Sequence, residues 1–356
     1  MAVPQKVSQA VSTGSTLSEQ VAARPHSLGI YAYQTLRKHF KKATKYKSQV
    51  LKDTDPEALH QMRVGLRRLR TAVEIFGGAI ELPEGVGDRN IAKIARRLGS
   101  VRDLDVLLMW LQTFRQEHDL GATEIKALQT VEANILKHRQ KCFRRARKLL
   151  KSKEYDALTT ALKGWLKQPC YQLSALLPID MVLPDLLSPL VGEVLQHPGW
   201  LVGTAQTLPL RPRKRMSLPL INQCLNDQGG MLHDLRKRMK HVRYQSEFFL
   251  GLHGLSYASL VKGFRNIQDT LGILQDEAVI QAVLQQSLGD DWSTQIPTLA
   301  QYFDQERRQM WKHWQALQIQ YLDPAFRHHL RQQMLAQKSL QLEDGLYSVS
   351  KEDGEP

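Results

Sequence analysis

LHQMRVGLRRLRTAVEIF at residues 59–76 and LHDLRKRMKHVRYQSEFF at residues 232–249 are two versions of one helix. An offset of 173 residues lays Leu59, His60, Arg63, Arg70, Glu74 and Phe76 on identical residues, and Arg67 on Lys240. The same offset carries Leu98-Gly99 and Asp103 of LGSVRDLD onto Leu271-Gly272 and Asp276 of LGILQDEA. One register therefore holds over more than forty residues without an insertion, the mark of a duplicated helical unit.

The spacing inside the motif says what the helix presents. His60, Arg63, Arg67 and Arg70 recur every three to four residues, as do His233, Arg236, Lys240 and Arg243. At 3.6 residues per turn each set falls within an arc of about 80°. Leu59, Met62, Leu66, Leu69, Val73 and Phe76 fill the adjacent arc, so a core stripe runs beside a cationic one. A single basic stripe is commonly a solvated face. Like charges stacked along one line repel unless an anion lies among them, and the second copy in register favours the anion.

HQMRVGLRRLR followed by LGSVRDLDVLL resembles the first half of a CHAD domain, the conserved histidine α-helical domain. LHDLRKRMKHVRY followed by IQDTLGILQDEAVI resembles its second half. The resemblance covers roughly residues 27–322. It implies an all-α fold of two four-helix bundles related by a pseudo-twofold axis, with a basic channel between them. It also implies inorganic polyphosphate as the partner.

Bulk properties are consistent with that partner. A net charge of +14 over 356 residues points to a polyanion. A hydrophobic content of 42% is that of a globular chain and not of a disordered basic arm. The three cysteines, Cys142, Cys170 and Cys224, lie far apart without a CxxC or a Cys/His pair. They suit neither a disulfide framework nor a zinc site and favour a reducing interior. Residues 1–25 are polar, with no apolar h-region, and read as a flexible leader. The most apolar stretch, 173–195, is broken by three prolines and two aspartates and makes no clean membrane span. The cytoplasm is the expected compartment, with polyphosphate granules as an extension of the resemblance.

Along the chain, the first helical unit is expected over 26–152, with helices near 26–51, 56–76, 88–116 and 122–150. Asp55-Pro56-Glu57 supplies an N-cap, a proline at the first helical position and an acid in the first turn. Lys41 and Lys45 belong to the polar face of the first helix, and Lys93, Arg96 and Arg97 to the third. The fourth is the most basic: 137–153 holds nine Lys/Arg and no acid, with Lys137, Lys141, Arg144 and Lys148 on one face. That face reads as a channel wall, a solvated surface or a membrane-surface helix. Residues 153–230 carry eight prolines and read as a connecting region with a basic loop, RPRKR, at 211–215. A short helix near 184–196 is expected there. The second unit is expected over 231–322, with helices near 231–252, 256–286 and 296–319. Its long helix keeps Lys262 and Arg265 but is otherwise less basic than its counterpart. Residues 323–356 form an extension that ends in an acidic tail.

Catalytic patterns are missing. The chain has no Walker A loop, GxSxG elbow, HExxH or ExExK motif. His233-Asp234 has no partner dyad in the first copy. Asp103 and Asp105 read as partners of Arg97 or Arg102 in preference to metal ligands. Neither an enzyme nor a cofactor site is expected. His60 and His233 are read as phosphate donors, as caps of a neighbouring helix, or as partners of Glu74 or Glu247. The glutamates are read as aligners of the arginines. Two alternatives stand beside polyphosphate binding: nucleic acid, less favoured because stacking residues are few near the stripes, and a regulatory subunit that docks a polyphosphate-metabolising enzyme through the Pro-rich middle. The sequence leaves the oligomeric state open.

Overall fold

In the computed structural model the described residues are 16–205, 211–213, 215–252 and 254–335. The first half contains α1 (Leu17–Ala22), α2 (Leu28–Lys45), α3 (Lys47–Lys52), α4 (Pro56–Ile75), α5 (Asp88–Glu117), α6 (Ala122–Leu150) and α7 (Lys153–Lys167). The second contains α8 (Ile179–Leu195), α9 (Leu218–Ser246), α10 (Leu255–Leu288), α11 (Trp292–Gln295), α12 (Pro297–Leu322) and α13 (Pro324–Leu335). Two short strands, β1 (Ile80–Glu81) and β2 (Cys170–Tyr171), pair antiparallel and tie the turn after α4 to the segment after α7. The fold is all-α.

Each half stacks its helices in the same order. α2 packs along α4, α4 on α5 and α5 on α6, while α8 packs on α9, α9 on α10 and α10 on α12. α4 starts as the sequence dictates: the Asp55 carboxylate accepts the Glu57 N–H at 2.8 Å, and Pro56 opens the helix. Its apolar stripe, Leu59 to Phe76 at helical spacing, is buried throughout. Each such side chain contributes about 1.5–3 kcal/mol. α2 crosses α4 at Gly65, where an added Cβ would lie 2.7 Å from the Ala43 Cα.

Several elements depart from the expected boundaries. The first helix breaks at Tyr46, and the short α3 ends at Asp53, which takes a left-handed φ of 57°. α1 lies within the segment read as a flexible leader and buries Val21 against the core. Residues 1–15 of that leader lie outside the described residues. α9 begins 13 residues before the expected 231. α8 begins at Ile179 and not near 184, and carries Pro184 and Pro189 in its interior. Burial of Leu183, Leu187, Val191, Val194 and Leu195 offsets the missing N–H groups, so tertiary packing overrides the proline signal. The region after α8 is anchored by Trp200, stacked between Trp314 at 5.3 Å and Tyr321 at 4.9 Å. RPRKR is tied back at Arg213, whose N–H donates to the Gly203 carbonyl and whose carbonyl accepts from Gln315. α13 occupies the start of the C-terminal extension, and the acidic tail lies outside the described residues.

Two apolar clusters hold the helices, and their placement decides where polar groups gather. The larger includes both halves and ends on α5 at Val101 and on α10 at Leu271. The smaller joins the far ends of α5 and α6 to α10, α11 and α12, beginning at Leu107 and Ile280. Between them α5 carries Arg102, Asp103 and Asp105, and α10 carries Gln275, Asp276 and Glu277. A polar layer thus lies between two cores, level with the cationic stripes of α4 and α9.

Candidate anion-binding site

The two repeated helices touch along a seam. At one end Phe76 meets its repeat equivalent Phe249 edge to face, 6.1 Å between centroids. Further along, Arg68 of α4 pairs with Glu247, and its other guanidinium nitrogen donates to the Tyr244 carbonyl at 3.2 Å. Reciprocally, His241 of α9 meets Glu74 at 2.7 Å. Under the 173-residue offset these are the same pair written twice. Arg67 lies over the Tyr244 ring at 4.3 Å, with Arg68 and Arg243 against the same ring.

Beside this lock, cations from both copies converge. Arg63 reaches α5, where its guanidinium occupies the space beside Gly99 and lies 3.3 Å from Asp103. Arg236 repeats the arrangement on α10: it lies 3.2 Å from where a Gly272 Cβ would stand and 3.4 Å from Asp276. Both glycines are therefore seats for a guanidinium. Lys240 stands between the arginines. Burial, then the fields of Arg67, Arg236 and Arg63, push its ammonium down to about 8, against a smaller opposing pull from Asp103. Burial also lowers Arg67, against the opposing influence of Tyr244. The buried Nε–H groups of Arg67 and Arg236 meet no acceptor among the described residues.

The leading histidines flank this cluster. His60 is held below the usual imidazole range by burial and then by Arg102. His233 is lowered by burial, Lys237 and Arg236, with Gln275 acting the other way. Neither pairs with Glu74 or Glu247. His241 takes Glu74, while Glu247 aligns Arg68, Arg243 and Arg265.

Of the expected site residues, the structure gathers His60, Arg63, Arg67, His233, Arg236 and Lys240 about the seam. Others are committed elsewhere. Arg70 is paired with Asp88, and Lys93 with Glu154 of α7 at 2.7 Å. Arg243 is held by Glu247 at 2.8 Å and by Gln268 at 2.9 Å. Arg265 lies 3.5 Å from Glu247, and Lys45 lies over Tyr46. Lys41, Arg96, Arg97, Lys137, Lys141, Arg144, Lys148 and Lys262 are exposed. The aspartates pair with arginines other than those expected: Asp103 with Arg63, and buried Asp105 with Arg139, which also clamps Asp53 at 2.6 Å. No metal-ligating group of three or more occurs among the described residues.

Sequence reasoning missed Arg68, Tyr244, His241 and Arg139. The offset was the available signal for the first, because Arg68 maps onto His241 as Glu74 maps onto Glu247.

The CHAD domain model matches residues 34–285. The chain belongs to the CHAD family. That family is associated with polyphosphate binding. The crystal structure of the CHAD domain from the plant Ricinus communis superposes with a TM-score of 0.55 at 24% identity, covering 87% of this chain and 92% of that one. PptA from Streptomyces chartreusis superposes with a TM-score of 0.52 at 16% identity, covering 82% and 99%. Both likenesses concern the fold. A comparison with curated proteins gives no match. No helix among the described residues is long and apolar enough to cross a membrane.

Proposed function

We propose that this CHAD protein binds inorganic polyphosphate, without turning it over, along the cationic seam between α4 and α9. The two halves would be related by a pseudo-twofold axis through that seam. The observation that carries the reading is Lys240, half-buried among Arg63, Arg67 and Arg236, a convergence of cations from both copies whose mutual repulsion an anion would relieve. Polyphosphate offers a negative charge at every internal phosphate and no base to read. Arginine forks grip such oxygens bidentately, and the lysine adapts as a point charge. Binding neutralises the cluster, releases counterions and draws His60 and His233 toward protonation.

Nucleic acid fits less well. Tyr244, the aromatic side chain beneath the arginines, is buried and already covered by Arg67, Arg68 and Arg243. It offers no face to a stacking base. Catalysis is not part of the proposal, because the aspartates nearest the cations are engaged by arginines. The cytoplasm, with recruitment to polyphosphate granules, is the proposed setting. A binding panel of long-chain polyphosphate, pyrophosphate, RNA and DNA at matched salt tests the reading. Long-chain polyphosphate should bind tightest, with a log–log salt slope of roughly −0.7 to −0.9 per phosphate neutralised, by analogy with nucleic acids. Equal affinity for pyrophosphate, or affinity indifferent to salt, overturns it.

A further inference from the structure

Charge at the seam is not balanced by the groups that face one another there. Arg63 is paired with Asp103 at 3.3 Å and Arg236 with Asp276 at 3.4 Å, while Arg67 lies on the Tyr244 ring. Lys240 pairs directly with no carboxylate among the described residues. The groups acting on it come from every neighbouring helix: Arg63 and Arg67 from α4, Asp103 from α5, Arg236 from α9 and Asp276 from α10. Three guanidiniums and an ammonium thus share two carboxylates, and positive charge is left over.

Two features say what kind of anion would complete the group. The first is an unmet hydrogen-bonding need. The Nε–H groups of Arg67 and Arg236 are buried and meet no acceptor among the described residues, and these two arginines are the charges that act most strongly on Lys240. Buried donors without an acceptor are costly, so a small oxyanion with two acceptor oxygens would suit both. The second is the state of the amine. Burial, then Arg67, Arg236 and Arg63, against Asp103, hold the Lys240 ammonium down to about 8, whereas an ordinary lysine titrates at about 10.4. At pH 8 about half of Lys240 is therefore free amine, a nucleophile that exposed lysines scarcely offer.

We propose that Lys240 is a modification site for carbon dioxide: its amine forms a carbamate whose two oxygens accept from Arg67 and Arg236. The nitrogen lone pair makes an N–C bond to carbon dioxide, one C=O π pair moves onto oxygen, and the nitrogen gives up a proton to solvent. Nothing is oxidised or reduced, and no co-reactant is needed. The lysine changes from a cation to an anion, so three guanidiniums then face three anionic groups. Asp103 and Asp276 oppose the new charge, but each is already engaged by Arg63 or Arg236. An acyl group on the same amine would remove one positive charge and supply none of the negative charge that the cluster lacks. A carbamate also fills the place proposed for the phosphate chain, so carbon dioxide would lower polyphosphate affinity. That consequence rests on the anion-binding reading of the seam, whereas the carbamate itself does not.

Carbon-13 NMR of the full chain at pH 8, with carbon-13-labelled bicarbonate in equilibrium with carbon dioxide, tests the modification. A carbamate resonance should be present that is lost in Lys240→Arg and kept in Lys237→Arg, an exposed neighbour on α9. Trapping with triethyloxonium ion, followed by peptide mass mapping, locates the adduct in wild type and needs no variant. Lys240 should carry several-fold more adduct than Lys237. No adduct on Lys240, or equal labelling of the two lysines, overturns the proposal.

Calorimetry with long-chain polyphosphate, in bicarbonate against chloride at matched ionic strength, tests the consequence. Affinity should fall several-fold in bicarbonate, as the fraction of protein with a free seam falls. A fall without a Lys240 carbamate would be plain competition between anions and overturns the covalent step. If polyphosphate binds and no carbamate forms, only the carbamate is lost. If the carbamate forms and affinity does not move, polyphosphate does not lie on Lys240 and the seam reading fails instead.

Discussion

Arg68 reaches across the α4–α9 seam to Glu247, and the offset of 173 residues converts this pair into Glu74 and His241, which also meet. One contact is made twice, once from each copy, as in a self-complementary interface. The two versions have unequal weight. Glu247 is 6% exposed and holds Arg243 as well, whereas Glu74 is 43% exposed.

That inequality gives a stability prediction. Glu247→Ala leaves the partly buried guanidinium groups of Arg68 and Arg243 without this acceptor and should destabilise the protein by roughly 2–3 kcal/mol. Glu74→Ala breaks an exposed pair and should cost at most about 1 kcal/mol. Denaturant unfolding of both variants measures the difference. Equal losses would mean that the seam is not locked through Glu247.

The glycine seats separate binding from stability. Gly99→Ala puts a methyl group where the Arg63 guanidinium lies, whereas at Gly272 the Arg236 nitrogen stands 3.2 Å away and needs to give less. Alanine is the better helix former by about 1 kcal/mol, so neither variant should lose much stability. Polyphosphate affinity should fall about tenfold for Gly99→Ala and less for Gly272→Ala, with thermal melts near wild type. Unchanged affinity in Gly99→Ala would show that the seat does not orient Arg63 for the anion.

Asp103 and Asp276 hold the arginines and also repel an incoming anion. Asp103→Asn with Asp276→Asn should therefore tighten polyphosphate binding several-fold at low salt and steepen its salt dependence. Both carboxylates are mostly exposed, so stability should change by less than about 1 kcal/mol. Weaker binding in the double variant would assign them an orienting role that outweighs repulsion.

Lys240 sets a pH dependence whose sign differs between binding and folding. Its folded-state pKa is depressed to about 8, below that of the unfolded chain. Above pH 8 the free protein loses this cation, so polyphosphate affinity should fall between pH 7 and 9. Between pH 8 and the ordinary lysine range the unfolded chain binds more protons, so the contribution to stability rises with pH. Lys240→Arg should flatten both trends. An affinity constant from pH 7 to 9 in wild type would remove Lys240 from the site.

Much of this was legible in the chain. The 3.6-residue periodicity of apolar side chains fixed α4, α5 and α6 closely, because their burial follows directly from spacing. The offset marked Arg63, Gly99 and Asp103, with Arg236, Gly272 and Asp276, as one recurring unit. Their mutual contact was not readable, because it joins residues about 40 apart through the crossing of two helices. Arg70 shares the stripe of Arg63 yet pairs with Asp88, a partner supplied by the start of the next helix. Helical spacing says which side a residue faces, and tertiary neighbours decide whether it is free. α8 was obscured for a related reason: local proline signals argue against a helix that packing stabilises.

Whether one polymer is gripped by both copies is the sharpest remaining test. Arg67 lies on Tyr244 of the opposite helix, and Lys240 sits within the fields of Arg63 and Arg67. An anion touching one stripe is therefore within reach of the other, and the second contact is made to an already tethered chain. Removing either stripe should cost far more than half of the binding. Arg63→Ala with Arg67→Ala should weaken binding more than Arg236→Ala with Lys240→Ala, because the second pair includes a lysine already poised to lose its charge. Calorimetry should give one binding event per short polymer in wild type and the same stoichiometry, at lower affinity, in each variant. Circular dichroism should show helix content retained, since the apolar stripe of each helix is untouched. Two independent events in wild type, with each variant losing just one, would divide the seam into two separate sites.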